Sequence, residues 1–103
     1  MNFKKLTMVA MIVTGLNAGQ CKTYTGYGDL AIKAAMRANE DANYIKLEKQ
    51  LNLALSNYIV AWDACSGYDK TRAKGKAVRV YNLMKQSGVS QSARVQKFIK
   101  AAR

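Results

Sequence analysis

Apolar residues recur at steps of three and four through Tyr44, Leu47, Leu51, Leu55, Tyr58, Trp62 and Cys65. That spacing places them on one stripe of an amphipathic helix. Upstream, Leu30, Ala31, Ala34, Ala35 and Ala38 form a face of mostly small residues with the same period. Between the two, residues 39–43 (NEDAN) are polar and poor in helix propensity, and Glu40 is expected to mark the start of the second helix. Residues 22–28 (KTYTGYG) hold two glycines and two tyrosines and read as an irregular lead-in, with Thr25 or Asp29 as the cap of the first helix.

Downstream, Ala73, Ala77, Val80, Tyr81 and Met84 predict the buried face of a third helix running to about Ser87. Gly67 is placed to close the second helix as a left-handed cap, and Asp69 or Thr71 to cap the third. Gly88 closes the third helix, and Ser90 or Ser92 opens a fourth. There Val95, Phe98, Ile99 and Ala102 line one side and Arg94, Lys97 and Lys100 the other. No proline forces a break anywhere. The expectation is one all-α domain of about four helices, with no internal repeat, low-complexity run or linker.

The first residues have a different layout. Lys4 and Lys5 precede residues 6–16, an uncharged and mostly apolar run, and Ala18 and Gly19 come after it. A short basic region, an apolar region and small residues are the parts of a secretory signal peptide, here expected to be removed near residue 19. A stable membrane span needs about 20 apolar residues, so this run is too short to cross and stay. The mature domain would then be residues 20–103.

Export changes the reading of the two cysteines. In a compartment where disulfides persist, they have one possible pairing, Cys21–Cys65. Reach then decides the topology. One unbroken rod from Asp29 to Cys65 would be about 54 Å long. The eight steps from Cys21 to Asp29 extend at most about 27 Å. The bridge therefore demands a reversal at about residue 38 or later, where residues 39–43 are independently weak. The prediction is an antiparallel helical hairpin stapled by one disulfide.

Charge divides the chain after the second cysteine. Residues 20–65 hold five basic and five acidic residues. Residues 66–103 hold ten basic residues against Asp69 alone. The ten are Lys70, Arg72, Lys74, Lys76, Arg79, Lys85, Arg94, Lys97, Lys100 and Arg103. A one-signed field at one end of a small domain attracts anions: nucleic acid, lipid headgroups, acidic glycans or acidic protein surfaces.

Catalytic chemistry finds little to stand on. The chain has no histidine, which removes Ser–His and Cys–His catalysis and His-ligated metals. Two cysteines without histidine partners make no structural zinc site, and no cofactor or metal is expected. Cysteines 44 positions apart do not form a Cys-x-x-Cys redox motif. Glu40 and Glu48 are the only glutamates. Both are expected on an exposed surface, Glu48 beside Lys46 and Lys49 as an ion-pair partner, instead of facing each other across a glycosidase cleft. Tyr24, Tyr27 and Tyr68 are expected to pack partly over a thin core near the cysteines.

Residues 80–99 (VYNLMKQSGVSQSARVQKFI) resemble the helix-turn-helix of bacterial repressors, with Ser87, Gly88, Val89 and Ser90 at the turn. The resemblance implies a second helix presenting Ser90, Gln91 and Ser92 to a major groove. Val95 falls one residue later than in that pattern, which rotates the buried face by about 100°. In export, size and one well-separated cysteine pair, the chain is also similar to the small periplasmic acid-stress chaperones, which implies a short disulfide-stapled helical domain. The leading expectation is an exported, non-enzymatic binding or assembly protein. Its basic half would engage an anionic envelope component or a partner in a secretion or transfer apparatus, with nucleic-acid binding as the alternative.

Overall fold

The computed structural model describes residues 17–102, so the expected signal peptide lies outside the described residues except for its last three positions. Four helices succeed one another: α1 (Asn17–Glu40), α2 (Tyr44–Ala64), α3 (Gly67–Ser87) and α4 (Ala93–Ala102), with no strand among the described residues. α2 is the central element. It packs against α1, α3 and α4 in turn, whereas α1 and α3 touch only lightly.

α1 and α2 form the predicted antiparallel hairpin, and its closure is built from backbone groups. Asn43 N–H donates to Ala38 O at 2.9 Å and Ala42 N–H to Asn39 O at 3.1 Å. Those bonds form a Schellman closure, which needs a left-handed residue, and Ala42 takes that role at φ 54°. Asn43 then caps α2, its side-chain oxygen accepting from Lys46 N–H at 3.1 Å. Asn43 lies midway between Cys21 and Cys65 in the sequence, so folding there returns one cysteine to the other. The two are joined, with Cα atoms 4.8 Å apart.

The first helix differs from expectation. Residues 22–28 continue α1 without a break, so Thr25 and Asp29 are interior residues and cap nothing. The two glycines weaken helix propensity locally, but tertiary packing supplies the stability. Gly28 is buried, and a Cβ there would overlap the ring of Tyr58. Glu40 ends α1 instead of starting α2. Gly67 does have the left-handed backbone, at φ 60°. It is the first residue of α3, however, and α2 ends instead at Cys65 in an extended conformation.

The main core joins Ala31, Ala35 and Ala38 of α1 to Leu47, Leu51, Leu55, Tyr58 and Ile59 of α2. Ala77, Val80 and Met84 of α3 and Val95 of α4 complete it. A smaller cluster surrounds the disulfide, with Ala61, Ala73, Tyr24 and Trp62. Small residues on the α1 face let the helix lie close to α2. Two apolar positions drop out of the predicted stripes, Leu30 at 64% and Tyr44 at 68% exposure.

α3 ends as predicted. Gly88 is left-handed at φ 68°, with Val89 N–H bonded to Met84 O at 3.0 Å. Ser92 caps α4, its hydroxyl oxygen accepting from Val95 N–H at 3.2 Å. The intervening loop is clamped by Asn52 of α2, which donates to Ser90 O at 2.9 Å and accepts from Ser92 N–H at 2.8 Å. α4 consequently lies on α2.

Candidate anion-binding site

α3 carries six of the ten predicted cations, and the helical period sorts them into two rows. Lys70, Lys74 and Lys85 run along the flank beside Trp62 and Tyr81, and Arg72, Lys76 and Arg79 along the flank beside α1. Several also act inside the molecule. Lys70 Nζ donates to Trp62 O at 2.9 Å, placing an ammonium on a last-turn carbonyl of α2. Lys74 stands over the Trp62 ring at 5.5 Å, Arg72 over Tyr68 at 5.9 Å and Lys85 over Tyr81 at 5.3 Å. These are cation–π distances, and the stacked heads still face solvent.

Lys76 is the most constrained cation. Its ammonium meets Asp29 Oδ1 at 2.9 Å and sits 5.7 Å from the centre of the Tyr58 ring. Tyr58 donates its hydroxyl to the same Asp29 oxygen at 2.5 Å. Burial acts to raise the Asp29 carboxyl, but the bonds from Tyr58 and Lys76 and the charges of Lys76 and Arg72 outweigh it. The group therefore stays ionised below the ordinary aspartate range. Burial and Asp29 together push the Tyr58 hydroxyl upward, so it remains a donor. This triad links α1, α2 and α3 where α1 and α3 otherwise barely touch.

Beside the triad, α1 and α3 leave a cleft of about 260 Å³ next to the disulfide. Lys22, Gly26 and Asp29 line it from α1, and Asp69, Arg72 and Lys76 from α3. Asp69 is in the first turn of α3, where its charge complements the helix dipole.

The ten predicted cations are thus not one patch. Lys70 and Lys76 hold the fold, Arg72 and Lys76 face the cleft, and Arg79 is exposed on α3. Lys97 and Lys100 are exposed on α4. The side chains of Arg94 and Arg103 lie outside the described residues. Sequence reasoning missed Lys22, because it belongs to the neutral half, and missed the pairing of Asp29 with Lys76, 47 positions away. The ion pair at Glu48 expected from sequence is not among the described contacts; Asp29–Lys76 is. Tyr27 and Tyr68 are exposed and Tyr24 half-buried near the disulfide.

Among the described residues, no group of acidic, histidine or cysteine side chains gathers to hold a metal. No described helix is long and apolar enough to cross a membrane. No protein family, curated protein or solved structure matches the chain.

Proposed function

We propose that the protein is an exported, non-enzymatic helical binding protein that works in an oxidising compartment such as a bacterial periplasm. Its basic C-terminal half engages an anionic envelope component or an acidic partner in a secretion or transfer apparatus. The observation that carries this reading is the partition of charge onto α3 and α4, where Arg79, Lys97 and Lys100 are exposed and Lys74, Lys85 and Arg72 stand over aromatic rings with their heads outward. The Cys21–Cys65 disulfide supports the compartment.

Binding to heparin, to phosphatidylglycerol vesicles and to random duplex DNA, each across a salt series, tests the reading. Affinity is expected to fall steeply with salt and to be indifferent to DNA sequence. Gln at Arg94, Lys97 and Lys100 together should weaken all three, because these residues contribute charge and no base contacts. A duplex selection that returned one tightly held site would instead establish the nucleic-acid alternative. Mass measurement of the exported protein tests processing near residue 19, and a full-length cytoplasmic species would remove the compartment from the proposal.

A further inference from the structure

We infer that the cleft between α1 and α3 is a discrete site for a single phosphate-type oxyanion, held by Arg72, Lys22 and Lys76 beside the disulfide. The inference deepens the anionic-partner reading above and rests on it for the sign of the ligand. It adds a place, a size and a stoichiometry.

Four observations carry it. The first is size: about 260 Å³ lies just below the range of pockets for drug-sized ligands, enough to seat one small anionic group. The second is the donor set. Arg72 presents a planar guanidinium, the fork that matches an oxyanion through two parallel bonds, and it lines the cleft while lying 5.9 Å from the centre of the Tyr68 ring. Lys22 lines the same cleft from the opposite helix, and no hydrogen bond or ion pair of its ammonium is among the described contacts. Lys76 uses one donor on Asp29 and keeps two. The third is that Asp29 is already occupied by Tyr58 and Lys76, which leaves Asp69 as the one lining carboxylate without such partners.

The fourth is Gly26. A glycine inside a helix lowers stability relative to alanine. Gly28, on the same helix, is explained by the Tyr58 ring pressed against it. Gly26 has no such neighbour, since a Cβ added there would meet nothing within 4 Å. What it does is line the cleft, and any longer side chain at that position would occupy the space. Gly19 and Gly75 are equally open, so what bears on the site is the place of Gly26 in the cleft lining and not the open space around it.

The same chemistry can reach the site as free phosphate or as a lipid headgroup, and two arms separate them. The disulfide-bonded protein is titrated with inorganic phosphate and with glycerol 3-phosphate, monitored by amide NMR shifts, and separately with phosphatidylglycerol vesicles by sedimentation. Saturable shifts centred on residues 22–29 and 69–76, at one ligand per chain, are expected in the first arm if the source is soluble. Vesicle binding that competes with glycerol 3-phosphate is expected if it is a headgroup.

Arg72→Gln should weaken the saturable event at least tenfold, and Asp69→Asn should strengthen it two- to fivefold. Gly26→Leu should abolish it while melting at the wild-type temperature or above. Lys49→Gln, which removes one charge away from the cleft, should leave it unchanged. Equal binding by wild type and Gly26→Leu, or shifts spread over all lysines without saturation, would overturn the site. If heparin binding with its steep salt dependence persisted in that case, the broader anionic reading would stand alone. Loss of heparin binding as well would remove both.

Discussion

The two halves of this small domain solve the same packing problem with different materials. In the α1–α2 hairpin, one face is nearly all alanine, the ends are tied by a disulfide and the net charge is zero. α3 meets α2 through a similar apolar face of Ala73, Ala77, Val80 and Met84, but its borders are finished with cations. Lys70 binds a carbonyl of α2, Lys76 binds Asp29, and Lys74 covers Trp62. Charge concentrated on one helix thus does two jobs. Part of it fastens the helix down, and the remainder is left facing outward. A count of basic residues overstates the surface that a partner would meet.

If the hairpin depends on its covalent tie, Cys65→Ser should give the largest loss. Loop-closure entropy over the 44-residue separation corresponds to about 4 kcal/mol, and a loss of about 2–4 kcal/mol is expected in urea titrations. A loss below about 1 kcal/mol would show that α1 and α2 are held by their alanine face alone. Close packing at that face is tested next. Gly28→Ala forces a methyl group into the Tyr58 ring and should cost about 1–3 kcal/mol, with the Tyr58–Asp29 contact disturbed in spectra of the variant.

The polar fastening of α3 should be weaker, because Asp29 and Lys76 are partly exposed. Asp29→Asn is expected to cost about 0.5–1 kcal/mol at neutral pH. The Asp29 carboxyl titrates below its ordinary value of 3.8 when folded. Its contribution is therefore complete above about pH 4 and is lost as the pH falls through the folded value. Stability of wild type and Asp29→Asn should converge in acid, and a constant difference from neutral pH into strong acid would place the effect elsewhere. The smallest change concerns the hairpin turn. Ala42 is held at positive φ, which disfavours any residue with a Cβ, so Ala42→Gly should gain about 0.5–1 kcal/mol after the entropic cost of glycine is offset. Thermal melts with the disulfide intact would register the gain, and a loss would mean that the turn relies on the Ala42 methyl.

Two turns of the same kind show what can be read along the chain. The close of α3 was legible because its left-handed position is a glycine, Gly88, next to the half-buried Val89. The close of α1 uses the same backbone bonds with Ala42 in the glycine's place, so only its polar surroundings marked it. Gly67 misled in the opposite sense: it supplied left-handed backbone to the start of α3, where no pattern asks for it. Residues 22–28 were misread because helix propensity is a weak local preference, and contacts with α2 decided the matter.

The helical class, the stripes of α2 and α3 and the Cys21–Cys65 pairing all came from period, reach and the count of cysteines, which are properties of neighbours along one chain, whereas the choice of Ser92 over Ser90 as the cap of α4 came from the structure. The opposition of Lys22 and Arg72 across a cleft came from none of them. Nor did the meeting of Asp29 with Tyr58 and Lys76, or the contrast between a glycine that packs at 28 and one that lines space at 26. Those depend on how far apart α1 and α3 stand once both rest on α2. That distance is set by side-chain volume at three helix faces together, and no local pattern carries it.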